Sequence, residues 1–136
     1  FKKLIAMNHG LKTTLHRAFD WVRNPFLTLE QVERLGVDTI LTSGQQKKAI
    51  DGMAILQKLN KKAMRTTIMP GSGINASNAH VFKEKGFKAI HLSGVRMNKR
   101  FCAPPKISMN STTLLSDNSL AISNFETLKK VVHIVK

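Results

Sequence analysis

The sequence has no tyrosine, one tryptophan, one cysteine and only 8 acidic residues against 22 lysines and arginines. Each shortage excludes something. A lone cysteine, Cys102, cannot close a disulfide within the chain, so no disulfide framework holds the fold and a reducing compartment is expected. No apolar run reaches the roughly 18 residues that mark a membrane helix. The opening stretch FKKLIAMNHG also lacks the apolar core and small-residue cleavage site of a secretory signal. These features lead us to expect a soluble, cytoplasmic protein without membrane partners. The formal charge of +14 raises the question of nucleic acid. The cations are scattered in ones and twos (Lys2 and Lys3, Lys47 and Lys48, Lys61 and Lys62, Lys129 and Lys130), with almost no aromatic residues between them for base stacking. We read a solvated basic surface, not a nucleic-acid groove.

What is present fits one globular domain: 136 residues, of which 42% are hydrophobic and 22% charged. Four short stretches rich in β-branched and apolar residues read as buried parallel strands: LKTTLHRAF (11–19), VDTILTSG (37–44), RTTIMPG (65–71) and FKAIHLSG (87–94). Between them run helical patterns. Thr28 and Gln31 form a capping-box signature before the stripe Leu29, Val32, Leu35, which stops at Gly36. Ala49, Met53, Leu56 and Leu59 make a second stripe; Ala79 and Phe82, ended by Gly86, make a third. The segment NFETLKKVVHIVK (124–136) reads as a C-terminal helix capped by Asn124.

Alternating strands and helices imply a parallel sheet, either an open doubly wound sheet or part of a (β/α)8 barrel. An internal echo supports the regularity, because GVDTILTSG (36–44) and GFKAIHLSG (86–94) match at an offset of 50 residues, the length of two βα units. A full barrel typically needs about 250 residues. We therefore expect residues 1–136 to form a single partial TIM-like barrel domain of about four βα units, its C-terminal half, with 94–123 as a long loop over one mouth. Such a half would expose strand edges and apolar faces, which favours a homo-oligomer.

In parallel α/β folds ligands gather at the carboxyl ends of the strands. There this sequence places His16, Arg17 and Asp20; Thr42, Ser43 and Gly44; Pro70, Gly71, Ser72 and Gly73; and His91 and Ser93. Within HRAFD, His16 is the inward candidate for acid or base work and Asp20 could orient it; alternatively, Arg17 bridges Asp20 and merely holds the loop. IMPGSGINASN (68–78) reads either as an anion cradle running from Gly71 to Asn75 or as a tight turn with an ordinary cap. Soft metal-binding atoms are sparse: Cys102, Met97 and Met109 in the expected loop, and Met69 at a strand end, with no Cys-x-x-Cys, Met-x-x-Met or His-x-His cluster.

HRAFD, then ILTSG, then MPGSGI, then a strand ending in H-x-S, occur in the order and at the spacings of the C-terminal half of the copper homeostasis protein CutC family, which the chain resembles along its whole length. The resemblance implies a cytoplasmic TIM-like barrel concerned with copper and able to bind Cu(I). It carries over by position to His16, Arg17, Asp20, Thr42, Ser43, Gly44, Pro70, Gly71, Gly73, His91 and Ser93; the family's cysteine positions fall in its other half, so His16, His91 and this chain's own Cys102 are the candidate metal donors, for part of a site at most. Ser72 stands where that family usually has a third glycine, and the family's N-terminal half has no counterpart here. The other expectation is an enzyme acting on a small phosphorylated or carboxylated metabolite held at Gly71 to Asn75.

Overall fold

A computed structural model describes residues 2–99, 106–107 and 119–136. These fall into two compact units, Phe1–Leu92 with Val135 and Ser93–Ile134 with Lys136. The first unit opens with helix α1 (Lys2–Ala6), followed by strand β1 (Thr14–Leu15), a 3-10 turn (Arg17–Trp21), helix α2 (Pro25–Arg34) and strand β2 (Thr39–Thr42). Helix α3 (Met53–Lys62), strand β3 (Thr67–Pro70) and helix α4 (Ala79–Glu84) complete it. The sheet is parallel, ordered β1-β2-β3, with Leu15 beside Ile40 and Ile40 beside Ile68. The expected α/β class with a parallel sheet is therefore present.

Side chains alternate across the sheet, and burial separates its faces. Ile40, Thr42, Ile68 and Pro70 are buried, as are Leu29, Val32, Leu56 and Leu59 on the helices, and α3 packs on β3 and against α2. Burying each such aliphatic side chain is worth about 1.5–3 kcal/mol. Thr39, Leu41, Thr67 and Met69, on the opposite face, are only half-buried. The two faces differ because the helices cover one of them.

Four local expectations need correction. The first expected strand is extended only at Thr14–Leu15; the residues that follow wind into the 3-10 turn, whose first amides are served by His16 as its N-cap. Helix α2 starts at Pro25, not after Thr28. Asn24 Oδ1 accepts from the amides of Phe26 and Leu27, while the Thr28 hydroxyl donates to the Asn24 carbonyl at 2.9 Å. An Asn-Pro pair is the stronger start signal, since proline at N1 gives up no bond and its φ is already helical. The fourth expected strand makes one parallel bridge, Gly71 with His91, where the His91 amide donates to the Pro70 carbonyl at 2.8 Å.

The fourth correction concerns the loop expected over 94–123. It contains β4 (Val95–Lys99) and β5 (Ser119–Ser123), paired antiparallel from Val95 opposite Ser123 to Lys99 opposite Ser119. Helix α5 (Phe125–Val135) follows, with Asn124 Oδ1 accepting from the Thr127 amide at 3.2 Å as its composition predicts. Gly36 ends α2 as expected: its φ of 77° lets the Val37 amide turn back to the Val32 carbonyl. At the end of α4 the same turn brings Phe82 and Phe87 to a ring-centroid distance of 6.1 Å. Among the described residues no helix is long and apolar enough to cross a membrane.

Asn24→Ala should lower stability by about 1 kcal/mol, read as a fall in the urea midpoint at constant slope. An unchanged midpoint would assign the start of α2 to packing alone.

Candidate functional site

The Asp20 carboxylate is the hub of the strand ends. Its Oδ1 accepts from Thr42 Oγ1 at 2.5 Å and from the amides of Ser43 and Gln45 at 3.1 Å each. Its Oδ2 accepts from Arg17 Nε at 2.9 Å and also lies 3.1 Å from the Ser43 amide. Ser43 Oγ accepts from Arg17 Nη2 at 2.7 Å, and its single proton is divided between Asp20 Oδ2 and the Gln46 carbonyl. Asp20 is only 5% exposed along its side chain. Burial alone would raise its pKa, but the bonds from Thr42, Arg17 and the amides of Gln45 and Ser43 outweigh it and hold the carboxyl below its ordinary value.

Chemically this makes Asp20 a fixed acceptor and a positioning group. It does not orient His16. That imidazole is exposed and turned the other way, its Nδ1 accepting the Ala18 amide at 3.0 Å. HRAFD therefore holds two devices: Arg17 and Asp20 are joined to LTSG, and His16 is set apart at the rim of an open cavity. This cavity, of about 430 Å³, is lined by His16, Arg17, Ala18, Trp21 and Leu41.

Gly44 is required for a physical reason. A Cβ there would lie 2.4 Å from the carbonyl oxygen of Gly52, and one at Gly52 would lie 1.9 Å from that of Ser43, so two backbones touch where LTSG turns away from β2. At Gly71 the obstacle is softer, since the atom 2.4 Å from the place of a Cβ is Leu41 Cδ1, the end of a side chain that can turn aside.

The Gly71 to Asn75 segment is a turn whose first and last backbone amides are engaged. The Gly71 amide goes to the Thr42 carbonyl, the Asn75 amide to Asn78 Oδ1, the Ser77 amide to Asn75 Oδ1, and the amides of Asn78 and Ala79 to the Asn75 carbonyl. Ser72 and Gly73 both have positive φ, and the aliphatic part of Lys48 lies against Gly73. His91 and Ser93 are exposed, and Cys102 and Met109 lie outside the described residues. Among the described residues no group of three or more His, Cys, Asp or Glu side chains is arranged to hold a metal ion.

Three participants escape a reading of the sequence alone. Gln45 and Gln46 supply a backbone amide and a backbone carbonyl, which leave no mark on residue type, although the Gln45 side chain also donates to the Val22 carbonyl at 2.6 Å. Trp21 is the third; being the lone tryptophan and next to HRAFD is the only signal it gives.

Parallel βα units with polar groups collected at the strand carboxyl ends define the class of this chain: an α/β protein with a parallel sheet. The sequence pattern of the CutC family matches residues 1–96. Relatives named as CutC family proteins include one from Parabacteroides distasonis, 38% identical over 94% of this chain and 51% of its own length. Others come from Pectobacterium atrosepticum, 34% identical over 88% of this chain and 46% of its own, and from Pasteurella multocida, 45% identical over 67% and 38% respectively. The chain belongs to the CutC family. It spans about half the length, or less, of these curated relatives.

Asp20→Asn should cost about 2 kcal/mol at neutral pH, because an amide NH2 would face donors that now meet an anion. The native pKa is depressed, so this stability is present above the unfolded value near 3.8 and is lost as pH falls through the lower folded value. Urea denaturation of both proteins across the acid range should show the gap closing there; a gap independent of pH would refute the charge-based account.

Proposed function

We propose that this chain serves copper homeostasis, handling Cu(I) in the cytoplasm as four βα units of a TIM-like barrel. The observation that carries the reading is the match to the CutC family over residues 1–96, which takes in HRAFD, LTSG and PGSGI. Copper here is cargo. Its preferred donors are thiolate and thioether, with imidazole acceptable, and among the described residues no three His, Cys, Asp or Glu side chains are grouped to hold an ion. His16 has its Nδ1 engaged and His91 is exposed, so each offers a single imidazole, and the thiolate of Cys102 is the soft donor we add to them. An anaerobic Cu(I) titration should show binding tighter than that of an unrelated barrel of similar His and Met content, weakened in Cys102→Ser. Affinity equal to that control would end the copper reading for this chain.

We also propose that the half-buried sheet face is covered by a second copy around Thr67 and Met69, leaving the cavity beside Leu41 open, since a parallel sheet is stable when both faces are covered. Sedimentation should give a dimer or larger species; a monodisperse monomer that unfolds cooperatively would refute it. The second functional reading, an enzyme acting on a phosphorylated or carboxylated metabolite at Gly71 to Asn75, has the side chain of Lys48 beside Gly73 in its favour. It stands second because the family match carries the copper reading; in the turn itself only the amides at its two ends, Gly71 and Asn75, have acceptors among the described residues.

A further inference from the structure

We propose that the open cavity beside the 3-10 turn binds a small planar aromatic carboxylate, its ring against Trp21 and its carboxylate toward Arg17 and His16. The site is separate from the Gly71 to Asn75 turn, and the proposal does not rest on the copper reading.

The cavity's volume of about 430 Å³ suits a ligand of one or two rings. Its lining divides into an apolar part, Trp21, Leu41 and Ala18, and a polar part, Arg17 and His16. Trp21 is 92% exposed, so nearly the whole indole is available for stacking. Such a ring exposed alone would say little. Here it shares a cavity with Arg17 and His16, two side chains that the fold already holds by other hydrogen bonds.

Arg17 is tied down through two of its three nitrogens. Nε donates to Asp20, and Nη2 donates to Ser43 Oγ and to the Gln46 carbonyl. Nη1 is bonded to no described residue, so it is the nitrogen left for a ligand, on a guanidinium that loses little further freedom on binding. His16 accepts the Ala18 amide at Nδ1, so in the neutral ring the proton sits on Nε2, which donates.

Donors, more than net charge, suit the anion. Asp20 already balances Arg17, so the site offers N–H donors without surplus positive charge and suits a monoanion better than a dianionic phosphate. The two oxygens of a carboxylate match donors from two side chains. The chain's net charge of +14 draws any anion toward it.

The lone tryptophan, in a chain without tyrosine, makes the test direct. The purified chain is titrated with nicotinate (ring and carboxylate), nicotinamide (the same ring, uncharged) and acetate (the anion without the ring). Nicotinate should quench Trp21 fluorescence saturably, and by calorimetry it should bind about tenfold more tightly than either control. Trp21→Leu, at an exposed position and checked for folding by circular dichroism, should weaken nicotinate about fivefold while leaving acetate unchanged. Quenching that rises linearly without saturation would overturn the proposal. So would nicotinamide binding as tightly as nicotinate, or a Trp21→Leu protein with unaltered nicotinate affinity.

Discussion

The Asp20 carboxylate joins two pieces of chain that are far apart in sequence: the 3-10 turn after β1, and the end of β2 with the Gln45 amide just beyond it. A buried carboxylate is costly unless its lone pairs are filled and a cation stands near. Both conditions are met, by hydroxyl and amide donors on one side and by Arg17 on the other. The remainder of the edge follows from this knot. With Arg17 held through Nε and Nη2, its third nitrogen has no bond to a described residue, and with the turn wound as a 3-10 helix, His16 and Trp21 come to the same cavity.

Carboxylates act in the same way at the other end of the strands. Glu33, near the end of α2, accepts the amides of Met64, Arg65 and Thr66 at 2.8, 2.9 and 3.1 Å, just before β3 begins. Asp38 accepts the amide and hydroxyl of Thr13 at 2.7 and 3.2 Å, fixing the entry to β1 against that to β2. In a chain with few acids, Asp20, Glu33 and Asp38 all hold backbone amides, so the scarcity of negative charge is also a scarcity of available acid/base groups. At the amino ends of the strands these bonds stabilise the fold; at the carboxyl ends the same chemistry shapes a site.

Periodic features were legible in the sequence. The stripes of α2 and α3, the glycines that end α2 and α4, the cap of α5 and the β-branched, apolar runs of β2 and β3 all depend on neighbours within a few residues. What misled was competition between local signals. Asn24-Pro25 outranked Thr28-Gln31, and the β-like run at 11–19 gave way where Asp20 and His16 could satisfy amides in a turn. The ladder of β4 and β5 escaped notice because its strands are separated by a long intervening stretch and alternate weakly in polarity.

The sequence by itself determined the class of fold, the family and the set of polar residues at the strand ends, because each is written in residue type and short spacing. Only the tertiary structure decided their partnerships. Asp20 could have served His16 or Arg17, and nothing in HRAFD chooses between them; the choice falls to the Ser43 and Gln45 amides, which arrive from another βα unit and draw the carboxylate away from the imidazole. Backbone amides and carbonyls carry no sequence identity, so a site built largely from them becomes visible only when the chain is folded.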